Sequence, residues 1–351
     1  VKLVALILAG GKGERLWPLS QPEKPKQFLT LTQSKLSLLQ LTIQRIEAMV
    51  KMRNIFVITG DPFVHLVEEQ VPDLSKDHII VEPCGRNTAP AIALSLFVIK
   101  RLYSNEEVTV MVFPSDHLIE PEDAFIQTMD EANKSAMGGA IVTIGVKPTY
   151  PETGYGYIKA SANGAAACAV ERFVEKPDKE TATRYLESGK FFWNAGIFVF
   201  NLSVMEKELE TYVPDIFHQI QVMASGGKPD KSAYAKLPSI SIDYAVMEKS
   251  HVVKMAPAQF SWDDVGSFLA FTRHHQQDEA GNTLVSENTQ VMLSLSHNNI
   301  IDIQDSQTKQ VILVGIDACT IIENEGTLLI CANSHVQEIQ KLIKQSKGPM
   351  S

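Results

Sequence analysis

Apolar residues follow two rhythms in the first 145 positions: short unbroken runs, and segments with apolar side chains three and four apart. The runs predict buried strands and the three–four spacing predicts amphipathic helices. Strands are predicted at 3–9, 55–58, 79–81, 108–113 and 140–145. Helices are predicted at 37–50, after Pro62, at 88–103 with Pro90 in the first turn, and at 120–136. Proline suits a first helical position because its missing N–H would have no partner there. Such alternation predicts an α/β fold: a Rossmann-like, mainly parallel sheet with helices on both faces. Ligands of such sheets gather at the carboxyl ends of the strands. The loop after the first strand, residues 82–86 after the third and Asp116 after the fourth all fall there.

The rhythm then changes. Strands are predicted at 155–158, 169–174 and 192–200, with helices at 178–188, 202–212, 241–251 and 265–276. The segments between them are rich in glycines and aromatics. After Gly281, short apolar runs at 283–285, 291–293, 299–301, 311–314, 319–322 and 327–330 predict a small β domain. It shows no clean six-residue repeat. A terminal amphipathic helix is predicted at 334–345 and a loose tail over the last six residues. The expected division is a large domain over 1–278 and a small β domain with the terminal helix over 279–351.

Composition narrows the function. Of 351 residues, 44% are hydrophobic and 21% charged, which is ordinary for a globular chain. The formal charge is −9, from 32 basic and 41 acidic residues, which disfavours nucleic acid as a partner. Four cysteines, at 84, 168, 319 and 331, form no Cys-x-x-Cys pair, so reduced thiols and a cytoplasmic location are expected. No run is long enough to span a membrane. In an acidic chain, any site for anions must make its positive potential locally.

The first loop offers that potential. Leu8 and Ala9 end the apolar run, and Gly10, Gly11 and Gly13 follow. Glycines let a ligand approach the backbone and let several N–H groups aim at phosphate oxygens. Arg15 and Lys26 add fixed charge. The spacing does not fit a dinucleotide fingerprint, because the sixth position counted from Gly11 is Leu16. No P-loop Gly-Lys-Ser/Thr is present. A plain strand-to-helix turn would not need the two cations.

The segment Gly10-Gly11-x-Gly13-x-Arg15-Leu16-x-Pro18-Leu19, followed by Pro25-Lys26-Gln27-Phe28-Leu29, resembles the sugar-1-phosphate nucleotidyltransferases. The resemblance continues through Arg86-Asn87-Thr88-Ala89-Pro90, Pro114-Ser115-Asp116-His117 and Phe173-Val174-Glu175-Lys176-Pro177. It ends with Trp193-Asn194-Ala195-Gly196 and Trp262-Asp263-Asp264-Val265-Gly266, so the blocks reach from residue 1 to about 270. Each block alone is weak, and together they are specific. They are most similar to members that join GTP to α-D-mannose 1-phosphate, giving GDP-mannose and diphosphate. The resemblance also implies a β-helix-like C-terminal domain.

It further implies a Mg²⁺ ion held by Asp116 and Asp264. The family motif places the acid two residues before the glycine, which selects Asp264 over Asp263. Arg15 and Lys26 are the implied triphosphate ligands, so Arg15, Lys26, Asp116 and Asp264 form the catalytic set. Leu8, Ala9, Gly10, Gly11, Gly13, Glu82, Arg86, Asn87 and Thr88 are the implied nucleotide site. Glu82 stands where thymidylyl- and uridylyl-transferring relatives usually carry Gln. A carboxylate there can accept from N1–H and N2–H of guanine together. Thr88 is equally a candidate helix cap. Gly156, Glu175, Lys176, Asn194 and Asp243 are the implied sugar-phosphate site, with Glu175 on hydroxyls and Lys176 on the 1-phosphate. Lys12 could serve phosphate or solvent, Lys24 is read as solvated, and His117 as structural. A homodimer through the C-terminal strands is expected, and no appended isomerase activity. The alternatives are transfer to another sugar 1-phosphate and a non-catalytic GDP-sugar-binding regulatory subunit.

Overall fold

The N-terminal apolar run forms a strand, β1 (Lys2–Leu8), in which Val4 to Ile7 are fully buried. In this computed structural model residues 1–11, 14–161, 164, 166–225, 230–286, 289–304, 307 and 310–346 are described. The chain divides into two compact units. The first comprises Val1–Gly10, Ile43–Ser115 and Ile119–Trp262, and the second Gly11–Thr42, Asp116–Leu118 and Asp263–Ser351.

The next strands are β2 (Ile55–Gly60), β3 (Ile79–Glu82), β4 (Val108–Pro114), β5 (Leu118–Glu120), β6 (Ile141–Val146) and β7 (Tyr157–Ala160). They are followed by β8 (Cys168–Val174), β9 (Phe191–Asn201), β10 (Val253–Pro257) and β11 (Ser261–Asp263). Helices up to this point are α1 (Leu38–Glu47), α2 (Val64–Gln70), α3 (Thr88–Leu102), α4 (Glu122–Met137) and α5 (Lys179–Ser188). Then come α6 (Leu202–Tyr212), α7 (Pro214–Ser225) and α8 (Lys231–Tyr234).

The first unit is built on a sheet of order β3-β2-β1-β4-β9-β6-β10-β8-β7. The expected parallel pairing holds from β3 through β4. β6 and β10 also pair in parallel, and the remaining pairs correct the expectation of a mainly parallel sheet. β9 lies antiparallel to β4, β6 and β7, and β8 is antiparallel to both β10 and β7. Hydrophobic runs mark burial and carry no strand direction, so the sequence could not show the reversal. Ile92, Leu96 and Ile99 of α3, with Phe217 and Ile220 of α7, pack into the same core as Leu6, Val110 and Phe200 of the sheet.

The second unit has its own core. Leu16, Leu19, Leu29 and Leu31 pack with Val265, Phe268, Phe271, Ile300 and Ile322. The segment after the glycine loop therefore belongs to the C-terminal β structure because its leucines are buried there. The strands of that structure are β12 (Thr283–Leu284), β13 (Gln290–Ser294), β14 (Ile300–Ile303), β15 (Gln310–Val314), β16 (Cys319–Asn324) and β17 (Thr327–Ala332). β12, β14 and β16 pair in parallel, Thr283 with Ile300 and Ile300 with Thr320, and β17 closes this sheet antiparallel. β13 pairs in parallel with β15. Between coils, the buried Asn299 donates through Nδ2 to Asn282 Oδ1 at 3.0 Å and to the Ile316 carbonyl at 2.7 Å. Side-chain amides thus satisfy backbone groups that leave the sheet.

Two predicted helices are shorter than expected. Over 241–251 the structure has a π-turn at Asp243–Met247, and over 265–276 a 3₁₀ turn, Phe268–Ala270, followed by α9 (Phe271–His274). Val265 has φ +46°, a conformation that a β-branched residue adopts at a cost and that cannot begin a helix. The described C-terminal part is a 3₁₀ segment, Asn333–Glu338, leading into α10 (Ile339–Ser346); of the six residues predicted as a loose tail, Ser346 ends this helix and the other five lie outside the described residues. Among the described residues no helix is long and apolar enough to cross a membrane.

Candidate active site

The second unit gathers the predicted catalytic set from three segments of sequence. Lys26 sits on the short 3₁₀ turn Lys26–Phe28 and is 6% exposed. A buried ammonium needs compensating acceptors. Its Nζ donates to Asp116 Oδ2 at 2.8 Å and to the backbone carbonyl of Asp264. Arg15 NH2 stands 3.9 Å from Asp264 Oδ2, within ion-pair reach, with the guanidinium mostly exposed. Burial raises the pKa of Asp116, and the charges of Lys26, His117 and Arg15 outweigh it, so the carboxyl lies below its usual range. His117 lies beside it, Nε2 at 3.8 Å from Oδ1.

The adjacent acids Asp263 and Asp264 are separated by their surroundings. Asp263 is 7% exposed and its Oδ2 accepts from Arg273 Nε at 2.6 Å, with His274 Nε2 at 2.9 Å. Its Oδ1 accepts from the Val265 N–H at 2.8 Å. Burial opposes these bonds, and they still hold its carboxyl far below the usual range. Asp264 Oδ1 accepts from the Gly266 N–H at 3.0 Å. A Cβ on Gly266 would lie 2.8 Å from Asp264 Oδ2 and 3.1 Å from Arg15 NH1, so this glycine leaves room for both side chains.

The first unit carries the predicted nucleotide and sugar residues in two groups. The backbones of Leu8 and Ala9 are tied into the fold. The Leu8 carbonyl accepts from the Ser115 N–H at 3.2 Å, and the Ala9 N–H donates to Ile58 O at 2.8 Å while its carbonyl accepts from Thr59 Oγ1 at 2.9 Å. The Ala9 amide is therefore spent inside the protein, and Gly10 supplies the next one. Glu82 ends β3 and is 7% exposed. Its Oε1 accepts from the Arg86 N–H and the Tyr234 hydroxyl, each at 3.0 Å, and burial still pushes its pKa up. Gly10 lies against it: a Cβ there would sit 3.7 Å from Glu82 Oε2. Arg86 Nε is buried without a hydrogen-bond partner among the described residues. The cap of α3 is Asn87, at φ +68°, whose side chain accepts from the Thr88 N–H at 2.8 Å. Thr88 is the first helical residue, and its hydroxyl accepts from the Ile242 N–H at 2.8 Å. Gly11 belongs to the second unit, where its carbonyl accepts from Gln27 Nε2 at 3.0 Å. Gly13 and Lys12 lie outside the described residues.

The other group surrounds Gly156. A Cβ at Gly156 would lie 2.4 Å from Glu175 Oε2 and 3.3 Å from the Asn194 Cβ. Only glycine admits the carboxylate there. Lys176, at φ +48°, holds its Nζ 3.4 Å from Glu175 Oε1. Asn194 is engaged by the fold: its Oδ1 accepts from Thr143 Oγ1 at 2.8 Å and the Gly196 N–H at 3.1 Å, and its Nδ2 donates to Asp243 Oδ1 at 2.9 Å. Burial, and then the negative charge of Glu175, push Asp243 up to about 7. Burial also raises Glu175, against the pull of Lys176. Tyr150, Tyr155 and Trp262 pack edge-on or tilted around Trp193 and form an aromatic wall. Asn87, Lys176 and Val265, all at positive φ, each sit in a motif singled out from sequence. Backbone strain of this kind concentrates at functional sites. Sequence reasoning missed Tyr234, because a lone tyrosine 152 residues from Glu82 carries no local signal.

The nucleotidyl transferase family model matches residues 4–281. The xanthan biosynthesis protein XanB of Xanthomonas campestris pv. campestris (strain B100) is 38% identical over 360 residues, covering 99% of this chain and 73% of that protein. A mannose-1-phosphate guanylyltransferase of Salmonella muenchen is 38% identical over 357 residues, covering 99% of this chain and 74% of that protein. A crystal structure from Thermus thermophilus, described as a mannose-1-phosphate geranyltransferase, superposes with a TM-score of 0.89 at 29% identity, covering 99% of this chain and 100% of that one. The chain belongs to the nucleotidyl transferase family.

Proposed function

We propose that this chain transfers a guanylyl group from GTP to α-D-mannose 1-phosphate, releasing diphosphate. The observation that carries the reading is Lys26, buried and bonded to both Asp116 and Asp264. Three distant segments converge there on a cation and two acids, as expected of a site that handles polyphosphate. The curated relatives bearing that activity's name, aligned over nearly the whole chain, supply the substrate pair.

In this reading a phosphate oxygen of the sugar attacks the α-phosphorus, and the bond from that phosphorus to the departing diphosphate breaks. The attacking phosphate is already ionised, so the step needs no general base and no covalent enzyme intermediate. Both reactants are anions, and catalysis consists of positioning and charge stabilisation. Lys26 and Arg15 stabilise charge on the triphosphate and the leaving diphosphate. Glu82 accepts from the guanine edge, beside Gly10, Arg86, Asn87 and Thr88. Glu175 takes sugar hydroxyls, Lys176 the 1-phosphate, and Asn194 orients Asp243 beside Gly156.

A divalent ion fits the residues present. Asp116 is kept ionised by its cationic neighbours, and ionised oxygen is the donor that hard cations prefer. Among the described residues no cluster of three or more His, Cys, Asp or Glu side chains could hold a metal. Asp116 and Asp264 would hold Mg²⁺, with phosphate oxygens and water as its other ligands. The bound ion would neutralise phosphate charge.

The same proposal divides the chain into a nucleotidyltransferase domain, 1–278, and a C-terminal domain, 279–351, and the match over residues 4–281 supports that boundary. Parallel pairing at offsets of one coil, Thr283 with Ile300 and Gln290 with Gln310, supports reading the second as a short β-helix. Met292, Ile312, Val314, Leu328 and Ile330, exposed on its strands, support a homodimer. A cytoplasmic location fits the four free cysteines.

The test is diphosphate release across GTP, ATP, UTP and dTTP, with mannose 1-phosphate or glucose 1-phosphate, with and without EDTA. GTP with mannose 1-phosphate should be fastest, and EDTA should stop it until Mg²⁺ is restored. A faster second pair, or turnover indifferent to EDTA, would overturn the reading.

A further inference from the structure

The two oxygens of Glu82 differ in their surroundings. Oε1 takes two donors, the Arg86 N–H and the Tyr234 hydroxyl, while Oε2 faces Gly10. Tyr234 is 0% exposed and comes from α8, remote in sequence from β3. A buried tyrosine hydroxyl needs a hydrogen-bond partner. The fold has directed this one onto the acid read above as the selector of the base.

We propose that Tyr234 is a positioning residue for base selection: its hydroxyl fixes the plane of the Glu82 carboxylate so that Oε2, over Gly10, receives the guanine edge. This rests on the reading of Glu82 given above. Guanine presents two adjacent N–H donors, whereas adenine and cytosine present one amino group beside an acceptor. A carboxylate free to rotate could satisfy a single amino group in many orientations. One pinned by two donors keeps a fixed direction, and a fixed direction makes a mismatched base leave a group unpaired. Arg86 serves the same end, since it supplies the second pin and keeps a buried Nε donor for an acceptor on the ligand.

The Tyr234 bond also favours the ionised carboxylate against its burial. Its removal makes Glu82 easier to protonate, so GTP binding should fail at a higher pH. The experiment compares wild type, Tyr234→Phe and Glu82→Gln for kcat and KM with GTP, ATP and UTP across pH 5.5 to 9, with thermal stability measured in parallel. Tyr234→Phe should lower the GTP-to-ATP ratio of kcat/KM by about tenfold, the worth of one hydrogen bond to a charged group. It should also move the acid limb of the KM for GTP to higher pH and leave kcat at saturation near wild type. Fluorotyrosine incorporated at 234 alone keeps the shape and strengthens the donor, so its limb should move to lower pH. That second variant gives the result if the phenylalanine variant does not fold. Lower stability with an unchanged ratio and limb would show Tyr234 to be only structural. If Glu82→Gln alters base preference and neither Tyr234 variant does, the inference fails alone. An unchanged preference in Glu82→Gln would remove the underlying reading as well.

Discussion

In the second unit Asp116 and Asp264 stand beside Lys26 and Arg15, whereas in the first unit Glu82 is bonded to Tyr234, Asp243 to Asn194, and Glu175 has Lys176 as a cationic neighbour. Of the first pair, Asp116 is held below the usual carboxylate range by the charges of Lys26, His117 and Arg15, against its burial. The second group is pushed the other way, each carboxyl raised chiefly by burial. The difference matches the ligands proposed for each. Acids that are to meet a metal ion and phosphates must be charged at all working pH values. Acids that are to meet N–H and O–H donors can sit where burial outweighs their neighbours, as at Glu82 and Asp243 beside neutral partners and at Glu175 despite Lys176, because the ligand completes their hydrogen bonding. The comparison teaches that burial alone does not assign a role to an acid; the balance of burial against neighbouring charge does.

The strongest way to break the comparison is to neutralise one acid in the second unit. Asp264→Asn should lower Mg²⁺-supported turnover by about 10²- to 10³-fold, the scale on which a direct electrostatic contact to a reacting group counts. Asp263→Asn should keep turnover per folded molecule near wild type and lower unfolding free energy by about 2 kcal/mol, a broken ion pair discounted for the exposure of Arg273. Steady-state kinetics and denaturant unfolding on both variants check this, and exchanged outcomes would show the assignment to be off by one residue. Next in size is Gly156→Ala. The new Cβ would strike the Glu175 carboxylate, so the KM for mannose 1-phosphate should rise about tenfold, near 1.4 kcal/mol, with GTP preference unchanged. A shift in base preference would mean that the two groups of the first unit are not separate in function. The smallest effect is one of pH. Asp243 binds its proton more tightly folded, at about 7, than unfolded, near 3.8. Its stabilising contribution is therefore full below pH 4 and is lost as pH rises towards 7. Melting temperatures of Asp243→Asn and wild type across pH 4 to 8 should diverge in that window, with wild type losing ground as pH rises. Parallel curves would sink the claim.

The parallel half of the sheet, β1 to β4, was legible because each strand is a buried apolar run followed by a helix of three–four spacing. The antiparallel half was legible as strands and illegible as topology, because β9 is buried among its neighbours whichever way it runs. β10, β11 and α7 carried signals too short or too mixed to stand out. The site was legible as motifs. Spacing could not show that Lys26, Asp116 and Asp264 meet, since 90 and 238 residues separate Lys26 from the other two. The role of Asn194 in holding Asp243 was invisible for the same reason. Asp263 and Asp264 are told apart in sequence only by the motif's spacing to Gly266, and the structure adds that Arg273 and His274 engage Asp263.

The second unit is stitched from Gly11–Thr42, Asp116–Leu118 and Asp263–Ser351. During synthesis Lys26 and Asp116 emerge from the ribosome early, and Asp264 emerges only after every strand from β1 to β10 has been made. A chain halted before Asp263 would thus carry Lys26 and Asp116 of the second unit without Asp264 or the strands that complete its core. On the proposed assignment, the second unit is completed only when the segment from Asp263 onward has been synthesised.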